Sequence, residues 1–223
     1  MKIRDVNYSL AKTILLYSFV FIVFPGIDFA FTELLRNYAF YCKIFAEKIK
    51  TWLVYAATSL TCTYGILAFF GYIYKRKYLL NYLSKNYEKF TRDFVFLFFN
   101  LAIISGITIE IIKNIFHRPR PYTINTFGGE NTYVQIWHIA NSCITNCSFP
   151  SGDAAVGFSL FPITFVLTKN LKFSFLVGAI VGCMLSYCRI ALAKHFLSDV
   201  LFSFILVYYF TLISRILIYN TRK

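Results

Sequence analysis

The chain has 223 residues, 58% of them hydrophobic, with a mean hydropathy of +0.59, against roughly 45–50% apolar residues in an average soluble domain. This excludes an ordinary soluble domain and leaves room for one helical membrane bundle, read as a single domain over 1–223. The formal charge of +13 would point to nucleic acid in a soluble protein, but here the basic residues lie between apolar segments as topology signals and lipid contacts, so no nucleic-acid partner is expected.

A helix crosses the hydrocarbon core with about 20 mostly apolar residues. Six stretches are predicted to do so, roughly 13–31, 51–74, 93–116, 151–168, 173–193 and 196–219. The expected fold is therefore all-α, with six transmembrane helices in one bundle. The first stretch holds Pro25, Gly26 and Asp28, and no small-residue cleavage site follows it, so it is read as a retained span. The fourth is short, bounded by Pro150 and Lys169, and a tight connection around Lys194 separates the last two.

Most of the 23 Lys and Arg fall on one side of such a bundle. With both termini in the cytoplasm, that side carries Lys2, Arg4 and Lys12, then Lys75, Arg76, Lys77, Lys85, Lys89 and Arg92. Lys169, Lys172, Arg215, Arg222 and Lys223 complete it, as the positive-inside rule expects. Cys62, Cys183 and Cys188 lie in apolar runs and read as packing residues. Cys143 and Cys147 lie in a loop placed outside the cytoplasm, where a disulfide is chemically allowed but not dictated by spacing.

Three polar clusters follow in chain order. Lys113 to Pro121 reads Lys-Asn-Ile-Phe-His-Arg-Pro-Arg-Pro and closes the third span. Phe149-Pro150-Ser151-Gly152-Asp153 precedes the fourth. Arg189, His195 and Asp199 join the fifth and sixth. Each alone has an ordinary structural reading: a snorkelling cation, a turn with a helix cap, or polar neighbours on one helix face. In the six-span topology, however, all three meet at the outer face.

Their chemistry converges as well. Lys113, Arg120 and Arg189 would surround one anion, and arginine grips phosphate oxygens through paired hydrogen bonds. Ser151 and Gly152 open a helix whose free N–H groups favour phosphate. His195 offers a nucleophile or base, and Asp199 is placed to accept a ring hydrogen bond and orient it. Glu110, three residues before Lys113, shares its helix face and is expected to pair with it.

These residues resemble the three motifs of the phosphatidic acid phosphatase type 2 family. The chain carries Lys113-x6-Arg120-Pro121, Pro150-Ser151-Gly152 and Arg189-x5-His195-x3-Asp199 in the family's order and spacing. Cys188 stands where the family usually has Ser, and Asp153 where it has the histidine thought to protonate the leaving oxygen. Ser148-Phe149-Pro150-Ser151-Gly152-Asp153-Ala154 is most similar to the bacterial lipid A 4'-phosphatase variant.

The resemblance implies a lipid phosphatase of the bacterial inner membrane with a periplasmic active site. Its substrate would be lipid A or a related phospholipid, cut through a phosphohistidine on His195. Lys113, Arg120, Ser151, Gly152 and Arg189 would hold the phosphoryl group, Asp199 would orient the histidine, and no metal or other cofactor would be needed. The proton for the leaving oxygen would come from Asp153, although a helix start and nearby cations favour its ionised form. His117 and His138 in the same outer loop are the alternatives. That loop, with its Gly128-Gly129-Glu130-Asn131 stretch and Trp137, is long enough to cap a substrate. Rival readings are an undecaprenyl pyrophosphate or phosphatidylglycerophosphate phosphatase, an anion transporter, and an inactive relative.

Overall fold

The computed structural model describes residues 3–74, 81–140 and 142–219. Lys2, Lys75, Arg76, Lys77, Arg222 and Lys223 of the charge pattern lie outside the described residues, as does the side chain of Lys85. Every extended regular element among the described residues is helical, with one isolated bridge between Ile124 and Asn131.

Helix α1 runs Ile3–Val23 and α2 Gly26–Arg36. They are broken at Phe24–Pro25, because a proline ring collides with the carbonyl four residues back and supplies no N–H. The first long apolar helix thus occupies 3–23, earlier than the predicted 13–31, and Asp28 falls in α2. Helix α3 is Ala39–Tyr74. Helix α4, Asn81–Phe98, passes through a π-helical stretch, Phe99–Thr108, into α5, Ile109–Phe116. The expected fourth span is two helices, α6 (Gly152–Phe158) and α7 (Leu160–Thr168). Pro162 cannot bond back to the Phe158 carbonyl, and the break at Ser159 follows. Helices α8, Leu171–Ala191, and α9, Leu197–Tyr219, complete the bundle.

Among the described residues, five helical stretches are long and apolar enough to cross a membrane: Ile3–Val23, Ala46–Ile73, Asn86–Thr123, Leu171–Ala191 and Leu197–Tyr219. Gly152–Thr168 is apolar but shorter. Leu15, Leu16, Phe19, Trp52, Ile66 and Phe69 are each more than half exposed. An exposed apolar surface of this extent suits lipid rather than water.

Between lipid-immersed helices, close packing and polar staples provide the cohesion that water exclusion provides elsewhere. Helix α8 packs on α6 and α7 through Gly178 and Gly182, small residues one turn apart. A Cβ on Gly182 would stand 2.0 Å from the Phe158 ring, so only glycine permits this approach. The contact seats the start of α6 beside the end of α8, where Asp153 and Arg189 lie. Asn100 in the π stretch donates to Ser214 Oγ at 2.9 Å and accepts from Thr211 at 3.1 Å, tying that stretch to α9. At one end of the bundle, Asp93 binds Lys169 at 2.6 Å and accepts from the Tyr219 hydroxyl.

Candidate active site

Helices α3, α5, α6 and α8, with the loops after α5 and α8, enclose a cavity of about 370 Å³. Lys50, Lys113, Arg120, Arg189 and Lys194 line it, set against Glu47, Glu110 and Asp153, with Gly152 and His195 also on its wall. Members of all three sequence clusters therefore meet in one space.

His195 follows the turn that ends α8 and is 1% exposed. Its Nδ1 is 2.8 Å from the Ser148 carbonyl oxygen. A carbonyl can only accept, so Nδ1 carries the proton and Nε2 keeps its lone pair. Burial lowers the proton affinity of the ring below the usual histidine value; Asp199 opposes this shift and the Arg120 charge adds to it.

Asp199 is not the direct ring partner that its spacing suggests, since its Oδ2 lies 3.7 Å from Nδ1. It acts at one remove. The Ser148 hydroxyl donates to Asp199 Oδ2, as does the Phe196 N–H at 2.8 Å. Ser148 thus holds the histidine through its carbonyl and the aspartate through its hydroxyl. The other oxygen of Asp199 binds Arg118 at 2.6 Å, and Arg118 binds Asp28 of α2 at 2.9 Å. All three side chains are buried.

Arg189 is fully buried at the end of α8. Its Nη1 donates to Glu47 at 2.8 Å, and its Nε lies 2.9 Å from Asp153 Oδ2 without hydrogen-bond alignment. Among the described residues Nη2 has no partner. A buried donor left unpaired costs about 1–3 kcal/mol, a cost that an anion in the cavity would remove. Lys113 pairs with Glu110 at 2.7 Å, as expected from their spacing. A Cβ on Gly152 would stand 3.4 Å from Lys113 Nζ, an ordinary contact that places the start of α6 beside that ammonium. Arg120 is held by Asn146, donating to its backbone oxygen at 2.7 Å and its side-chain oxygen at 2.5 Å.

The remaining predicted residues divide. Ser151 is buried, and its hydroxyl caps α6 by accepting from the Ala154 N–H at 3.2 Å; it does not line the cavity. Asp153 does line it, paired with Lys50 at 2.6 Å as well as with Arg189. His117 and His138 do not line it. His117 ends α5 in a left-handed conformation with Nδ1 2.7 Å from the Cys143 carbonyl, and His138 is exposed. Cys143 and Cys147 form a disulfide. Among the described residues no group of three or more His, Cys, Asp or Glu side chains is placed to hold a metal ion.

Sequence reasoning missed Glu47 and Lys50, which α3 brings to residues more than a hundred positions away. Their spacing of three, placing both on one helix face, was the only available signal. It also passed over Arg118, although the repeated Arg-Pro around it marked the segment.

A second, apolar groove of about 340 Å³ lies between α3 and the π stretch. It shares Ser105 and Val156 with the polar cavity.

The chain is 30% identical over 145 residues to a lipid A 4'-phosphatase of Francisella tularensis subsp. novicida, covering 64% of this chain and 65% of that protein. Lipid A 4'-phosphatases of Rhizobium etli and Rhizobium leguminosarum are 34% and 32% identical over 91 residues, 40% of this chain and 35% and 39% of theirs. The matches thus span less than two thirds of each relative. No solved structure gives a significant match. Residues 94–223, more than half of the chain and the part that carries all three clusters, match the PAP2 superfamily profile, and the chain belongs to the PAP2 superfamily.

Proposed function

We propose that this chain is a membrane lipid phosphatase that removes the 4'-phosphate of lipid A through a phosphohistidine on His195. One observation carries the chemistry: the imidazole, committed at Nδ1 to Ser148, shares a cavity with the unpartnered Nη2 of buried Arg189. The relatives' names supply the substrate, and the adjoining apolar groove suits the acyl chains of an amphiphile. In this reading Gly152–Thr168 completes a sixth crossing of the bacterial inner membrane. Both termini then lie in the cytoplasm and the cavity opens at the periplasmic face.

In the reaction, the Nε2 lone pair forms a bond to phosphorus as the bond to the sugar oxygen breaks. Arg189, Lys113 and Arg120 hold the phosphoryl oxygens while charge spreads over them. Asp199 and Ser148 hold the ring and stabilise its positive charge. The leaving oxygen takes its proton from the Lys50–Asp153 pair. Asp153 is there an ionised carboxylate, so Lys50 is the member that carries a proton. Water then attacks phosphorus and gives its proton to Lys50 as the phosphorus–nitrogen bond breaks, which releases phosphate and restores both the neutral histidine and the ammonium.

The nucleophile must be neutral, and burial keeps His195 neutral to lower pH than usual. The acid limb of a kcat/KM profile is therefore expected below pH 6.5, the ordinary histidine value. An acid limb above that value would assign it to another group.

The substrate is tested by mass spectrometry of lipid A from a bis-phosphorylated bacterial strain expressing the protein. The expected result is loss of one phosphate, mapped by fragmentation to the non-reducing sugar. Unchanged lipid A with the protein present in the membrane would overturn the substrate and direct the assay to undecaprenyl pyrophosphate and phosphatidylglycerophosphate.

A further inference from the structure

Beyond the catalytic cavity lies another of about 320 Å³, walled by the turn after α5 and the loop around the disulfide. Such a volume falls within the roughly 300–1,000 Å³ typical of small-ligand pockets. The two cavities share Arg120 and Asn146, which form the partition between them. A group bound in the outer cavity is therefore close enough to be joined covalently to a phosphate beside His195.

The outer wall is pre-shaped. Tyr122 N–H donates to the Ala193 carbonyl at 3.0 Å, and Asn131 N–H to the Thr123 carbonyl at 2.9 Å. Gly129 makes this fold of the loop possible, because a Cβ there would stand 2.1 Å from Thr123 O. On the opposite side the Cys143–Cys147 disulfide and the bond between His117 and the Cys143 carbonyl hold the lip.

Among the described residues the lining contains no carboxylate and no lysine. The cation there, Arg120, already spends Nε and Nη2 on Asn146. A second phosphate would find no free charge cluster here, and an acyl chain would leave the polar groups unpaired. What the cavity offers is the half-exposed ring of Tyr122 with the side chains of Asn131, Ser142, Thr145 and Asn146. A flat aromatic face beside hydroxyls and carboxamides matches a neutral ring that bears hydroxyl and amide groups.

From this we infer that the outer cavity is a sugar subsite, holding the hexosamine that carries the scissile phosphate. The inference rests on the lipid A reading above and extends it to the residues that would select a sugar ester over a glycerol ester.

The test measures kcat/KM in detergent micelles for bis-phosphorylated lipid A and for dioleoyl phosphatidic acid, which has no sugar. Tyr122→Ala and Asn131→Ala retain the backbone bonds that shape the wall. Each is expected to lower the ratio of the two kcat/KM values by about ten-fold, a typical loss for one binding group. A ratio unchanged in both variants, whether the two rates fall together or stay level, overturns the subsite alone. Wild-type hydrolysis of phosphatidic acid without hydrolysis of lipid A removes the lipid A reading and the subsite together. Hydrolysis of neither removes the lipid A reading and the subsite with it, and leaves undecaprenyl pyrophosphate and phosphatidylglycerophosphate as the substrates to assay.

Discussion

Replacing His195 with alanine is expected to lower phosphate release by at least about 10³-fold while the protein still assembles in the membrane. The change removes the one imidazole that lines the cavity, and His117 and His138 lie outside it and cannot substitute. It also leaves the Ser148 carbonyl without its donor. That loss costs on the order of 1–3 kcal/mol, too little to prevent folding of a bundle held by many helix contacts. The chemical assay is direct. A base quench during turnover of substrate labelled in its phosphate should leave label on a peptide containing His195, since a phosphorus–nitrogen bond survives base. Normal turnover by His195→Ala, or label on a different residue, would remove His195 as nucleophile.

Replacing Arg118 with methionine is expected to cost about 3–5 kcal/mol of stability and most of the activity together. Arg118 is buried between two buried carboxylates, Asp28 and Asp199, and also donates to Ser198 Oγ at 2.7 Å and the Val134 carbonyl at 2.8 Å. Methionine fills similar volume but leaves both carboxylates without their cation. Asp199 would then lose its hold on Ser148, and through Ser148 on the His195 ring. Asp28→Asn should cost less, because the amide can still reach the Ser198 hydroxyl and Tyr133. Combining the two changes should cost less than the sum of the singles, since each removes the same ion pair. Thermal unfolding in detergent reads the first effect, and phosphate release reads the second. Additive effects in the double variant would show that the Asp28–Arg118 contact carries no coupling. Asp28 lies before residue 94, so the result also asks whether the segment ahead of the family match serves the site.

Helical content, the approximate place of the long apolar helices and the meeting of the three clusters were legible in the sequence. Each depends on information local to the chain. About 20 apolar residues suffice to mark a span, and Lys113 and Glu110 lie on one face because a helix turns every 3.6 residues. The break at Pro25 was equally local, since proline cannot extend the hydrogen-bond ladder, yet the hydropathy window averaged across it.

Only the tertiary structure decided who partners whom. The spacing of His195 and Asp199 puts them one helical turn apart, but His195 precedes α9, and its Nδ1 turns to Ser148 from another segment. Glu47 and Lys50 reach Arg189 and Asp153 because α3 packs against α6 and α8. Nothing in their own neighbourhood foretells it. Asp28, Arg118 and Asp199 come from three distant segments, and each charge is tolerable inside the protein only because the others are there. The sequence by itself marked the three clusters whose members meet at this site, but not Glu47 or Lys50. Packing decided which of them touch, because an ion pair or a ring hydrogen bond depends on ångströms that linear spacing does not set.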